Sequence, residues 1–129
     1  MESINKQERV DELIQQFWKL GYLTVSRKYG TYLPEPPKMG HYDIDALGKI
    51  KNQYAIGISL TSEEIHTENI GEKLLYLATR HTKNTNRSVQ LFITVPKKDL
   101  FKVKDLVSKF EDEIKRNIKV VAVDTEGIN

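Results

Sequence analysis

The stretch from His41 to Leu60, HYDIDALGKIKNQYAIGISL, alternates apolar and polar residues in a way that predicts two neighbouring β-strands. The first predicted strand, His41–Leu47, carries two acids, Asp43 and Asp45, on one side, opposite Tyr42, Ile44 and Ala46. The residues GKIKN supply the predicted turn. The second strand places Tyr54, Ile56, Ile58 and Leu60 on one side and Ala55, Gly57 and Ser59 on the other. The sequence therefore predicts a β-hairpin with a pair of carboxylates on one face.

Further helices and strands precede and follow this hairpin. The predicted order is α-β-β-β-α-β-α-β, which favours an α/β class with a mixed β-sheet flanked by helices. The remaining predicted elements are a leading helix with Val10, Leu13, Ile14 and Phe17 inward, a strand over Tyr22–Lys28, a helix with Ile70, Leu74, Leu77 and Ala78 inward, a strand over Val89–Val95, a helix with Leu100, Val103, Val107, Phe110 and Ile114 inward, and a final strand over Ile118–Val123. Three prolines and two glycines predict a long loop over Tyr29–Gly40.

Composition narrows the class of protein. A chain of 129 residues with 39% hydrophobic residues fits one domain, which we place over residues 1–129. The absence of cysteine excludes disulfides, thiol catalysis and thiolate metal sites. The charged start MESINKQERVDELI predicts a helix rather than a signal peptide, and no run approaches the roughly 20 apolar residues of a membrane span. We therefore expect a cytoplasmic protein with no membrane partner.

Charge is unevenly distributed along the chain. From Lys73 to Lys104 there are eight basic residues and one acid, a net charge of +7, whereas the remainder carries −5 and the total is +2. Such a segment indicates either a surface that faces a polyanion or an ordinary solvated surface. The loop Thr79–Ser88 is the best candidate contact region. The basic residues that we expect to bind nucleic acid are Arg80, Lys83, Arg87, Lys97 and Lys98.

The element order and the acids on the hairpin resemble the PD-(D/E)xK nuclease superfamily, the restriction-endonuclease-like fold shared by archaeal Holliday-junction resolvases. The likeness covers nearly the whole chain and implies a three-layer fold. In that family an aspartate near the start of one strand meets a Glu-x-Lys or Asp-x-Lys on the next strand. The carboxylates hold Mg²⁺, and the lysine helps to orient or activate the attacking water.

The resemblance aligns Asp45 with the metal-binding aspartate and places Asp43 where related sequences often carry another acid. Gly57 and Ser59 stand at the positions of the Glu and the Lys of the Glu-x-Lys motif. Neither residue can replace the missing group, because glycine has no side-chain ligand and serine is not a cation. Carboxylates or a lysine that have migrated to other positions are an alternative, and the candidates are Glu12, Glu63, Glu64, Glu72 and Lys73.

These observations predict a nuclease-fold domain that has lost catalysis and acts as a nucleic-acid-binding or accessory interaction module. DNA or a protein is the expected partner, and no cofactor is expected. One alternative is an active Mg²⁺-dependent endonuclease that uses Asp45 and Asp43 with migrated partners. The other is a dimeric protein-interaction scaffold, in which the basic residues are only solvated.

Overall fold

The computed structural model describes residues 2–82 and 87–123, with side chains from residue 6 onward. It has an α/β architecture in which helices flank a five-stranded mixed sheet, which confirms the predicted class. The elements are α1 (Glu2–Lys19), β1 (Leu23–Arg27), β2 (Ala46–Ile50), β3 (Gln53–Ser59), α2 (Ser62–Ile65), α3 (Ile70–Ala78), β4 (Gln90–Pro96), a 3-10 turn (Lys97–Asp99), α4 (Leu100–Ser108), α5 (Asp112–Lys115) and β5 (Ile118–Val123).

The strands lie in the sheet in chain order, β1-β2-β3-β4-β5. The first three form an antiparallel meander, in which Ala46 pairs with Gly57. The last three are parallel, because helices carry the chain back between them, and Ser59 of β3 pairs with Thr94 of β4. The carboxyl ends of β3, β4 and β5 therefore share one end of the sheet.

The two faces of the sheet are buried by different helices. Helix α1 covers one face, where Leu13 and Phe17 pack on the small residues Ala46 and Ala55 and on Phe92. Helices α3 and α4 cover the other face. The core on that side includes Ile56, Ile58, Leu74, Leu77, Leu91, Ile93 and Val103. Both faces of β3 are therefore buried. Its small residues lie under α1, and its large apolar residues lie under α3 and α4.

Helix α1 ends in a Schellman motif at a glycine. The N–H of Tyr22 donates to Phe17 O at 2.9 Å, and the N–H of Gly21 donates to Trp18 O at 3.0 Å. Gly21 has φ of 89°, a conformation that glycine adopts at little cost. The turn brings Tyr22 against Phe17 and Phe92. Burial among these rings raises the pKa of the Tyr22 phenol above its usual value, since the charged phenolate is poorly solvated there.

The structure corrects the predicted bounds of the hairpin. Its first strand covers Ala46–Ile50 rather than His41–Leu47, so most of GKIKN is strand. The tight turn lies at Lys51 and Asn52 instead, where Lys51 has φ of 54°. The two-residue turn lets Ile50 pair with Gln53. Strand pairing therefore continues through Gly48, Lys49 and Ile50, which the sequence analysis placed in the turn.

Two helical segments also differ from the prediction. The sequence predicts no helix between the hairpin and Ile70, but the structure has the short helix α2 there, which begins with a capping box between Thr61 and Glu64. The predicted helix that ends near Ile114 is two helices, α4 and α5, separated by Lys109–Glu111. None of the helices in residues 2–82 and 87–123 has the length and apolar character needed to span a bilayer.

Candidate functional site

Asp45 lies directly before β2 and is held in place by backbone pairing on both sides. Its N–H donates to Gly57 O at 2.9 Å, and its carbonyl oxygen accepts from Lys28 N at 3.0 Å. The side chain is only 7% exposed, and its Oδ2 accepts a hydrogen bond from Ser59 N at 2.7 Å. The carboxylate is thus fixed against the carboxyl end of β3, next to the strand that the resemblance assigns to the Glu-x-Lys motif.

Two lysines supply the positive charge around this carboxylate. Lys6 Nζ of α1 lies 3.4 Å from Asp45 Oδ2 and donates to Ser59 O at 3.1 Å. Lys28 Nζ, just after β1, lies 3.9 Å from Asp45 Oδ1. A buried carboxylate is costly unless it is paired and hydrogen-bonded, and here ammonium groups provide that compensation. Both lysine side chains remain partly exposed, so the site keeps an open, net positive side.

The space beside Gly57 is filled by helix α1. A Cβ at this position would lie 2.9 Å from Leu13 Cδ2 and 2.9 Å from Phe17 Cζ, which is closer than real Cβ contacts. The position assigned to the motif's glutamate therefore faces packed hydrophobic side chains. Ser59, at the lysine position, is buried, and its hydroxyl has no hydrogen-bond partner in the part of the chain that the structure describes.

Asp43 has surroundings quite unlike those of Asp45. Its side chain is 62% exposed, and Oδ1 lies 4.0 Å from Lys38 Nζ at the surface. The structure places Asp43 outside the strands, in the segment before β2, so the two acids do not share the face of a regular strand as the alternation predicted. The reason is that β2 begins only at Ala46.

Of the carboxylates proposed as migrated partners, one caps a helix and the others are exposed. Glu64 Oε1 accepts from Thr61 N at 2.8 Å within the α2 capping box. Glu12, Glu63 and Glu72 are exposed, and Lys73 is half-buried. Across residues 2–82 and 87–123, no group of three or more histidine, aspartate and glutamate side chains is placed to hold a metal ion.

The predicted nucleic-acid-binding residues lie at two ends of the sheet. Arg80 and Arg87 lie shortly before β4, where Val89 N donates to Arg80 O at 3.0 Å. Lys97 and Lys98 are exposed beyond the carboxyl end of β4, the same end at which Asp45 and Ser59 lie. Lys83 falls outside the described residues. The described basic residues therefore fall into two groups, one at each end of the sheet.

Sequence reasoning missed both lysines of this site, although one left a signal. Lys6, Val10, Leu13 and Phe17 follow helical spacing, so Lys6 lies on the inward stripe of α1. A lysine on a buried helical face usually has an acidic partner. Lys28 gave no such indication, because it follows a strand and precedes a loop.

No family model, no curated protein and no solved structure matches the chain.

Proposed function

We propose that this chain is a nuclease-like domain that binds nucleic acid around Asp45 without cleaving it. The proposed fold is the three-layer, restriction-endonuclease-like arrangement. The observation that carries the proposal is the contact of Lys6 Nζ with Asp45 Oδ2 and Ser59 O, at the carboxylate that the resemblance assigns to a metal ion.

The chemistry of the site supports binding over hydrolysis. Mg²⁺ requires several hard oxygen ligands. A cation approaching Asp45 would meet the ammonium groups of Lys6 and Lys28, which lie 3.4 and 3.9 Å from its two oxygens. A second carboxylate at position 57 has no room beside Leu13 and Phe17. The active-endonuclease alternative keeps a lysine beside Asp45, but in the described part of the chain no group of three or more histidine, aspartate and glutamate side chains is placed to hold a metal ion.

The same residues suit a phosphate. Two ammonium groups surround one carboxylate, so the local charge is positive and a backbone phosphate is attracted to the exposed sides of Lys6 and Lys28. Lys97 and Lys98 add positive charge at this end of the sheet. Lysines of this kind position a protein on a nucleic-acid backbone without reading sequence.

The loop after Lys28 carries two exposed tyrosines, Tyr29 and Tyr32, which line a concavity together with Gln7, Asp11 and Arg27. Tyr29 follows Lys28 directly, and Tyr32 is 95% exposed, the most exposed large apolar side chain recorded in the described residues. Exposed aromatic rings beside a basic groove stack on unpaired bases. The proposal therefore favours single-stranded or unpaired nucleic acid, with phosphates at the lysines and bases on the tyrosines.

We expect Lys28→Gln combined with Tyr32→Ala to weaken the binding of a single-stranded oligonucleotide by about tenfold or more. One phosphate contact and one stacked base are removed, and stacking alone contributes about 1–3 kcal/mol per base. Fluorescence anisotropy across a salt series measures the effect. The slope of log affinity against log salt should become less steep by about 0.7 for the lost phosphate contact.

The control variant is Lys104→Gln, which removes one exposed charge from α4 on the opposite face of the sheet. Its affinity should equal that of the wild type. Wild-type binding that is absent at low salt, or that does not respond to salt, would overturn the proposal. Oligonucleotide cleavage in the presence of Mg²⁺ or Mn²⁺ that disappears in Asp45→Ala would favour the active-endonuclease alternative instead.

A second candidate function, a homodimeric interaction scaffold, is favoured by an exposed apolar patch at the edge of the sheet. Trp18 and Leu20 at the end of α1 and Leu23 and Val25 of β1 are all exposed, and Trp18 is 78% exposed. Strand β1 is the first strand of the sheet, and among the described strands it pairs with β2 alone. Open edges next to apolar patches are typical sites of strand pairing between chains.

Under this second candidate, Trp18→Ser combined with Leu23→Ser should convert a dimer to a monomer in sedimentation equilibrium. The control is Phe101→Ser, since Phe101 is 85% exposed but lies on α4, away from β1. It should leave the dimer unchanged. A wild-type protein that stays monomeric at high micromolar concentration rules out the dimeric scaffold.

A further inference from the structure

A second concave site lies on the face of the sheet opposite α1. Its volume is about 480 Å³, within the range of roughly 300–1,000 Å³ that small-molecule sites occupy. The floor is formed by side chains from β2, β3 and the segments before β2 and β4, and consists of Met39, Leu47, Tyr54, Ile56 and Val89. The rim is polar and consists of Lys49, Asn52, Arg80, His81 and Thr82.

The charge of this pocket has one sign. Lys49 and Arg80 both line it, and none of its described lining residues is an aspartate or a glutamate. Within residues 6–82 and 87–123, neither cation forms an ion pair with a carboxylate. The pocket therefore combines an apolar floor with uncompensated positive charge at its rim, a combination that suits an anion carrying an apolar group.

Arg80 is fixed in position before any ligand arrives. Its guanidinium carbon lies 3.7 Å from the centroid of the Tyr76 ring, and Nε donates to Tyr76 O at 2.8 Å. Nη2 lies 3.5 Å from Thr79 Oγ1. A stacked, hydrogen-bonded guanidinium loses little conformational entropy on binding, and its planar fork matches phosphate oxygens.

The Lys49 side chain is held less firmly than that of Arg80. Its Nζ lies 5.3 Å from the centroid of the Tyr54 ring, a cation–π contact at the pocket rim. The flexible lysine can therefore turn toward an anion, while the Tyr54 ring offers a surface on which a planar group can stack. Two cations on one rim favour a dianion such as a phosphate monoester over a single carboxylate.

We infer that this pocket binds a small aromatic phosphate of the nucleoside monophosphate class. The ring lies on the apolar floor at Tyr54, and the phosphate contacts Lys49 and Arg80. This inference goes beyond the proposed function, because the pocket lies on the face opposite α1 and shares no residue with the site at Asp45.

Isothermal titration of the full chain with adenosine 5′-monophosphate tests the inference. Binding with a Kd below about 1 mM is expected, and adenosine or inorganic phosphate alone should bind at least about tenfold more weakly, since each supplies only half of the contacts. In NMR spectra, the methyl groups of Leu47, Ile56 and Val89 should shift on titration. No binding at about 1 mM, or shifts confined to other residues, would overturn the inference.

Lys49→Gln should weaken mononucleotide binding by about tenfold, whereas Lys51→Gln, an exposed lysine two residues away that does not line the pocket, should have no effect. Arg80→Lys provides a second variant, which keeps the positive charge but loses the planar guanidinium group. Equal affinity in Lys49→Gln and Lys51→Gln would contradict the assignment.

The same variants separate this inference from the proposed function. Lys28→Gln should bind the mononucleotide normally, and Lys49→Gln should bind the single-stranded oligonucleotide normally. An oligonucleotide that competes with the mononucleotide only when it carries a 5′-phosphate would identify a strand end as the source of the ligand. If neither the phosphorylated nor the unphosphorylated oligonucleotide competes, the free nucleotide is the source of the ligand.

Discussion

Gly57→Glu should destabilise the fold by about 4 kcal/mol or more, and should not create a metal site. A Cβ at Gly57 would already lie 2.9 Å from Leu13 Cδ2 and Phe17 Cζ, and a glutamate adds a charged group beyond it. Overpacking a core costs about 1–3 kcal/mol, and a buried carboxylate without a partner adds a further penalty. The double variant Gly57→Glu with Ser59→Lys should bind no Mg²⁺ or Mn²⁺, because Leu13 and Phe17 occupy the space that the new carboxylate needs.

Chemical denaturation monitored by circular dichroism measures this effect. Gly57→Ala should cost about 1–3 kcal/mol, since it introduces only the crowded Cβ. Gly71→Ala is the matched control, because a Cβ there would lie 3.7 Å from Leu106 Cδ1 in α3. It should be neutral or stabilise by up to about 1 kcal/mol through helix propensity. A Gly57→Glu variant as stable as wild type would mean that α1 does not fill this space.

Lys6→Met should destabilise the protein by about 2 kcal/mol, because it removes the nearer of the two ammonium groups that face the buried Asp45 carboxylate. Breaking a fully buried ion pair costs about 3–5 kcal/mol. The lower figure applies here, since Lys6 is partly exposed and Lys28 Nζ still lies 3.9 Å from Oδ1. Urea denaturation gives the value directly.

The double variant Lys6→Met with Asp45→Asn should recover most of that loss. Asparagine keeps an oxygen that can accept the hydrogen bond from Ser59 N but carries no charge to compensate. Lys19→Met on the same helix is the control and should lie within about 0.5 kcal/mol of wild type, since Lys19 is exposed. Equal effects of Lys6→Met and Lys19→Met would show that the contact with Asp45 contributes no stability.

The architecture could be predicted largely from periodicity. The final strand, Ile118–Val123, has the predicted bounds, and α3 covers the predicted stripe from Ile70 to Ala78. Alternation identified the two faces of β3 because period-two patterning survives even when both faces are buried. The ends of the strands were harder to predict from the sequence. The tight turn at Lys51 depends on a positive φ at a lysine, and no Gly or Asn-Gly signal marks it.

Only part of the candidate site could be predicted from the sequence. Asp45 and Gly57 could be singled out from their places in the hairpin, and their assignment to a nuclease motif stays a prediction. The contact with Lys6 joins residues 39 positions apart, and no local pattern encodes such a contact. The crowding at Gly57 depends on how α1 docks on the sheet, which the inward stripe of Leu13 and Phe17 indicates without fixing the depth of approach.

The docking of α1 has a consequence for how this domain can change over generations. Making room at position 57 requires trimming Leu13 or Phe17, and deleting such side chains costs about 2–5 kcal/mol each. Freeing Asp45 requires the loss of Lys6, which is costly by itself. Each of these two changes therefore passes through a less stable protein. The packing of α1 on the sheet therefore opposes the insertion of a side chain at position 57.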